Sequence, residues 1–133
     1  ADPFCPELRQ ILIEAAKTAG ISTHNTGTCV CIEGPRFSTK AESKMFRGWG
    51  ADVVGMTLVP ECVLAREAEI CYASMATVTD YDVWKDQPVS VEAVMKTMRA
   101  NIEKVKTIIQ EAIKEIPKER KCECKNALKN ALV

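Results

Sequence analysis

Apolar positions along this chain follow two rhythms, one helical and one strand-like, and the two alternate. Leu8, Ile11, Leu12, Ala15 and Ala16 keep helical spacing behind Pro6 and Glu7. A Pro in a first helical turn, with an acidic side chain near the positive helix end, marks a start there, and Gly20 fits the residue after the C-cap. Residues 21–27 are polar and turn-rich. Thr28-Cys29-Val30-Cys31-Ile32 has β-branched residues and no helical period, so it reads as a strand. After the Gly34-Pro35 break, Ser38 or Thr39 can cap a helix reaching about Arg47, closed by Gly48 and Gly50. Residues 52–56 read as the next strand. Pro60 opens a third helix to about Glu69, with Val63 and Leu64 on one side, and the continuous apolar run 70–78 predicts a third strand covered on both faces.

Beyond a polar loop at 81–88 that contains Trp84, Ser90 caps the longest helix. Its apolar positions are Val91, Val94, Met95, Met98, Ile102, Val105, Ile109, Ala112, Ile113 and Ile116, with Pro117 as its stop. The stripe mixes threes and fours without lasting charge partners, so it is expected to pack on the sheet and not in a coiled coil. Residues 118–133 form a basic, Cys-bearing tail with a weak closing helix. Strand–helix–strand–helix–strand is the signature of an α/β fold with a parallel sheet, here within one domain covering 1–133.

That layout gives the strand ends a chemical meaning, because ligands of open α/β sheets bind outside the carboxyl ends of the strands. Phe37, Ser38, Met56, Thr57, Asp80 and Asp82 all fall at such ends. Phe37 follows Gly-Pro-Arg, a turn able to present an aromatic face, although a core Phe would fit the same local sequence. Asp80 and Asp82 follow an apolar run; solvated turn residues are the alternative, but a carboxylate at the mouth of an apolar pocket can hold a proton and donate it. Thr57 offers a hydroxyl and an N–H to an anion. Arg36 beside Gly-Pro could meet phosphate, yet a structural salt bridge is the better reading, and His24 reads as a surface side chain.

Composition narrows the class. Hydrophobic residues make up 47% and charged residues 27%, and 18 acidic side chains balance 18 basic ones. A nucleic-acid binder would carry a basic excess. No apolar run approaches the roughly 18 residues of a membrane span, and no basic-then-apolar leader opens the chain. A soluble, cytoplasmic protein is the expectation. The opening Ala1-Asp2-Pro3-Phe4, with a helix starting almost at once, reads as the middle of a longer protein.

Seven cysteines are many for such a protein. Cys29, Cys31, Cys62 and Cys71 lie in or beside apolar runs and read as small core residues. With a single His and no Cys-x-x-Cys pair, no metal site is expected. Cys122 and Cys124, in a Lys-rich tail expected to be exposed, need another explanation. Bridges involving this pair, with Cys5 or Cys62 as further partners, would suit a thermophilic source.

Taken together, Pro3-Phe4-Cys5-Pro6, Ile32-Glu33-Gly34-Pro35-Arg36-Phe37-Ser38, Ala41-Glu42-Ser43, Trp49-Gly50-Ala51-Asp52-Val53, Met56-Thr57, Val59-Pro60-Glu61, Ile70-Cys71-Tyr72-Ala73-Ser74 and Thr79-Asp80-Tyr81-Asp82 resemble the purine nucleoside phosphorylase superfamily, specifically its trimeric 5′-methylthioadenosine phosphorylases. The resemblance covers roughly residues 1–110. It implies the C-terminal part of a phosphorylase/hydrolase-like three-layer α/β fold with a mixed, mostly parallel sheet. It also implies phosphorolysis through an oxocarbenium-like transition state, with inorganic phosphate as co-substrate and no cofactor. Phe37 would pack on the purine, Met56 would lie under the ribose, and Thr57 would bind phosphate. Asp80 would bond N7 and serve as the acid, with Asp82 near the 6-amino group. Val89, Val91, Val94 and Met95 would wall the methylthio group.

Two positions speak to specificity. The 6-oxopurine phosphorylases tend to carry Glu where Ser38 stands and Asn where Asp80 stands, so Ser38 with Asp80 and Asp82 favours 6-aminopurines. The family's N-terminal half supplies most phosphate ligands, so the resemblance implies a chain inactive alone, completed by an N-terminal portion and a trimer or hexamer of such units. The alternatives are a 6-oxopurine nucleoside phosphorylase and, from another class, a non-catalytic Cys-rich redox or interaction module built on Cys122 and Cys124.

Overall fold

The computed structural model describes residues 2–81 and 90–131. The order of elements is α1 (Pro6–Thr18), β1 (Cys29–Cys31), α2 (Lys40–Gly48), β2 (Val53–Gly55), α3 (Leu58–Glu67), α4 (Val91–Glu115) and a short 3₁₀ turn (Glu123–Asn126). The local signals for these elements were strong. Cys5 is the N-cap of α1, its sulfur accepting from Leu8 N–H at 3.4 Å, and Gly20 takes a φ of 66° just past the end. Such a left-handed residue is where glycine carries no Cβ penalty. Thr39 and Glu42 form a complete capping box on α2, and the Ser90 hydroxyl accepts from Ala93 N–H at 3.1 Å at the start of α4. Val59 breaks the helical geometry inside α3, so its regular part begins at Pro60 as the sequence predicts.

The strands β1 and β2 pair in parallel, Cys29 opposite Val53, Val30 opposite Val54 and Cys31 opposite Gly55. Ile32 N–H extends the ladder to Gly55 O at 2.9 Å. The Asp52 carboxylate accepts from Thr28 N–H at 2.7 Å and locks the register at the other end. The expected third strand is not formed: residues 70–78 belong to no ladder among the described residues, and Ile70 and Val78 are exposed. A strand exists only through hydrogen bonds to a neighbour. The segment is held instead by isolated bonds such as Cys5 N–H to Tyr72 O at 2.7 Å and Ile70 N–H to Ala65 O at 2.9 Å.

The chain divides into two compact units, one of residues 1–23, 57–75 and 105–133 and one of residues 24–56 and 76–104. In the first, Ala15 and Ala16 of α1 pack on Ile108 and Ala112 of α4, with Ile11, Leu12, Ile21 and Met75 around them. This corrects the expected stripe of α4. Ile108, which the stripe omitted, is buried, whereas Val91, Met95, Met98, Ile102, Ile109, Ile113 and Ile116 are exposed. The tail is also corrected: Cys122 and Cys124 are buried, packed with Cys5, Leu8 and Cys71. The second unit carries the β1–β2 pair and α2.

Candidate functional site

The loop after β1 carries the first two candidate side chains, and a charged network holds it. Arg36 donates through Nη1 and Nη2 to the two Glu42 carboxylate oxygens at 2.9 and 2.6 Å, and through Nη1 to Phe37 O at 3.1 Å. Glu42 accepts further from Thr39 N–H at 2.7 Å and Thr39 Oγ1 at 2.8 Å. The Arg36 guanidinium, aided by these Thr39 donors, holds the Glu42 carboxyl at about 2. Arg36 is therefore the salt-bridge residue of the two readings, clamping the turn onto the start of α2. Gly34 has a reason of its own to be glycine: a Cβ there would stand 2.9 Å from the Met56 sulfur. The end of β2 and the loop after β1 thus meet closely.

On this scaffold Phe37 is 81% exposed, its ring presented as the turn suggested. Ser38 is buried, and its hydroxyl has no hydrogen-bond partner among the described residues. A buried hydroxyl is normally satisfied, so this orphan marks a polar position short of its partner. Met56 is half-buried and Thr57, the N-cap of α3, is exposed and makes no side-chain cap bond. Asp80 is half-buried and accepts from Thr79 Oγ1 at 2.8 Å. Residues 78–80 are tied to α4 by Asn101, whose Nδ2 donates to Val78 O at 3.0 Å. Val91 and Met95, with Glu92, Lys96 and Arg99, line an open groove along the first turns of α4, and Val94 is half-buried. Asp82 and Val89 lie outside the described residues.

Phe37, Ser38, Met56, Asp80, Val91, Val94 and Met95 all belong to the second unit, and Thr57 opens the next stretch of chain. The sequence reading missed Gly34 as the seat of Met56 and Asn101 as the anchor of the Asp80 segment. An Asn directly before the apolar Ile102 of α4 was the signal for the latter.

A separate cluster lies in the first unit. The sulfurs of Cys5, Cys71, Cys122 and Cys124 all lie within 4.8 Å of one another, with Cys71 and Cys122 at 3.4 Å. All seven cysteines are free thiols, so the bridge expected of Cys122 and Cys124 is not formed, and their burial answers the question the exposed-tail reading raised. Burial, with the neighbouring thiols, pushes Cys124 up to about 12, while a hydrogen bond with the Cys124 backbone draws Cys122 down.

The Phosphorylase superfamily matches residues 1–114. S-methyl-5′-thioadenosine phosphorylase of Pyrococcus abyssi is 58% identical over 133 residues, covering 100% of this chain and 51% of that protein. The Nitrosopumilus maritimus protein of the same name is 57% identical over 131 residues, covering 98% and 50%. Among solved structures, a methylthioadenosine phosphorylase from an antarctic soil metagenomic library superposes with a TM-score of 0.90 at 44% identity, covering 99% of this chain and 48% of the other. A Schistosoma mansoni adenosine/methylthioadenosine phosphorylase variant, solved in complex with methylthioadenosine, gives 0.83 at 41% identity, covering 98% and 50%. The chain thus spans about half the length of the relatives it matches. With a parallel strand pair and a family match over residues 1–114, the chain belongs to the phosphorylase superfamily.

Proposed function

We propose that this chain is the C-terminal portion of a 5′-methylthioadenosine phosphorylase, a pentosyltransferase that converts 5′-methylthioadenosine and phosphate to adenine and 5-methylthioribose 1-phosphate. The observation that carries this reading is identity of 56% and 58% across all 133 residues to proteins of that name. The site residues give it chemical sense. A phosphate oxygen forms the new bond to the anomeric carbon as the C1′–N9 bond breaks and its electron pair enters the purine. Asp80 supplies a proton to N7, which neutralises the leaving base. Phe37 gives the ring an apolar face, Ser38 a hydroxyl at the base, and Met56 a soft floor under the ribose. Thr57 binds phosphate, and Val91, Val94 and Met95 wall the methylthio group, with Asp82 and Val89 assigned by resemblance alone.

The remaining phosphate ligands come from an N-terminal portion, and the working enzyme is a trimer or hexamer of completed units in the cytoplasm, its products entering purine and methionine salvage. No helix among the described residues is long and apolar enough to cross a membrane. The test is turnover by this chain joined to the rest of its polypeptide. Phosphate-dependent adenine release from 5′-methylthioadenosine is expected, and faster hypoxanthine release from inosine would replace the reading with a 6-oxopurine phosphorylase. Absence of phosphate-dependent turnover with either substrate overturns it. Asp80→Asn should lower adenine release sharply; undiminished release would refute the acid role.

A further inference from the structure

Among residues 91–104 of α4 only Val94, Thr97 and Asn101 are half-buried, and every other position is exposed. Spacings of three and four place the three on one face of the helix, so this is the face that packs. Asn101 is therefore a polar side chain where an apolar one is usual, and such a group is kept when it holds a hydrogen bond. Its Nδ2 donates to Val78 O at 3.0 Å, across 23 residues of sequence. The stretch it reaches has no sheet to hold it, since residues 70–80 belong to no ladder among the described residues. Backbone carbonyls outside a ladder still need partners, and a side chain that supplies one also fixes the chain in place.

Val78 stands two residues before Asp80, whose carboxylate accepts from Thr79 Oγ1 at 2.8 Å. Asn101 thus ties the backbone of this segment, while Thr79 steers the carboxylate itself. The chemistry assigned to Asp80 demands such control. A proton donor acts within about 2.6–3.2 Å of the atom it protonates, and a displacement of about 1 Å can cost about 100-fold in rate. We propose that Asn101 is a positioning residue for phosphorolysis, holding Asp80 through Val78 where its carboxyl reaches N7 of the departing purine. It acts through these two residues and requires no contact with nucleoside or phosphate. The inference rests on the functional reading above, in which Asp80 is the acid.

α4 suits the task because it is long, 25 residues from Val91 to Glu115. Val91, Val94 and Met95, the proposed methylthio wall, lie in its first turns. Asn101 lies about two turns beyond Val94, about 10 Å along the axis. The 5′ end of the nucleoside and its N7 would then be registered against one helix. The bond also costs the helix something, since Asn is a poorer helix former than Leu. A polar residue kept on a packed face at the expense of helix stability is what a positioning role predicts.

The experiment uses this chain joined to the rest of its polypeptide, with Asn101→Leu and Asn101→Asp. Both keep the size of the side chain; Leu removes the donor, and Asp at neutral pH offers only acceptors to the Val78 carbonyl. Phosphate-dependent adenine release from 5′-methylthioadenosine should fall about 10- to 100-fold in kcat, with KM changed less than about threefold. Since Leu is the better helix former, the Tm of Asn101→Leu should move by only a few degrees. Titration with adenine and with 7-deazaadenine, which has a C–H in place of N7, reads the contact directly. The parent should bind adenine more tightly, and both variants should lose that preference. A merely structural Asn101 would show as a large loss of Tm or as equal weakening of both ligands, and either would overturn the proposal. So would a variant that keeps the parental kcat. A parent that releases no adenine, or does not prefer adenine, removes Asp80 from its assigned role and this inference with it. An active parent that prefers adenine, with the same preference in the variants, refutes Asn101 alone.

Discussion

Ser38 offers the sharpest test of the proposed nucleoside site because its hydroxyl is buried with no partner among the described residues. A buried hydroxyl without a hydrogen bond is destabilising by about 1–3 kcal/mol, whereas a bond made when a ligand arrives returns about 0.5–1.5 kcal/mol net. Ser38→Ala removes one oxygen from a packed position and leaves the Thr39–Glu42 capping box untouched. In the ligand-free complete enzyme the variant should therefore be as stable as the parent or more so, by up to the about 1–3 kcal/mol that the orphan costs. At about 2–4 °C per kcal/mol for domains of 150–250 residues, that is a rise in Tm of several degrees. Adenine binding should move the other way, weakening about 2- to 12-fold for the lost bond.

The assay is a paired one, thermal or urea unfolding without ligand and calorimetric titration with adenine, on the same preparation. Opposite signs in the two measurements are the signature of a polar group kept for binding at the expense of stability. If Ser38→Ala lowers the Tm by a comparable amount, the hydroxyl is bonded within the complete enzyme and the argument fails. If stability rises but adenine binds unchanged, the orphan is a packing defect and Ser38 has no part in recognising the base.

The Arg36–Glu42 clamp gives a pH dependence. The Glu42 carboxyl is held at about 2, below its ordinary value of 4.5, so its contribution is fully present above 4.5 and is lost as pH falls through about 2. An NMR titration should show the Glu42 carboxyl and the Thr39 amide changing together near the lower value, and a midpoint near 4.5 would contradict the clamp. Gly34→Ala would drive a Cβ to within 2.9 Å of the Met56 sulfur. Since a Met side chain can move aside, KM for the nucleoside should rise several-fold while Tm changes little; unchanged KM would remove Met56 from the ribose floor. Ile108→Ala leaves a cavity among Ala15, Ala16 and Ala112 that these small side chains cannot fill, and should destabilise by about 2–4 kcal/mol by urea unfolding.

Local chemistry was legible in the sequence wherever a residue acts on its own neighbours. Pro6, Thr39 (one of the two caps the sequence offered), Ser90 and Gly20 each mark a helix end through bonds or backbone angles within a few residues, and each is found there. The strand ends at Phe37 and Met56 were equally readable, because β-branched runs followed by Gly-Pro or a helix cap allow few other structures. What was not legible depends on contacts across long separations. The meeting of Cys5 and Cys71 with the Cys122–Cys124 pair has no local signature, so a tail that looked exposed proved buried at both sulfurs. Asn101 reached back to Val78 for the same reason.

The two largest departures share one physical origin. The run 70–78 has the apolar continuity of a covered strand yet joins no ladder among the described residues, and α4 exposes most of its predicted stripe. Apolar periodicity records the surroundings for which a segment was selected, and those need not lie in the same stretch of chain. Val91 is 79% exposed and Ile113 is 63% exposed, on a helix whose Ile108 and Ala112 are already packed against α1. A helix with apolar residues on more than one face is one that packs on more than one side. The chain spans about half the length of the proteins it resembles. The misread strand and the exposed stripe therefore have one source: the apolar pattern of the sequence exceeds what the described residues bury among themselves.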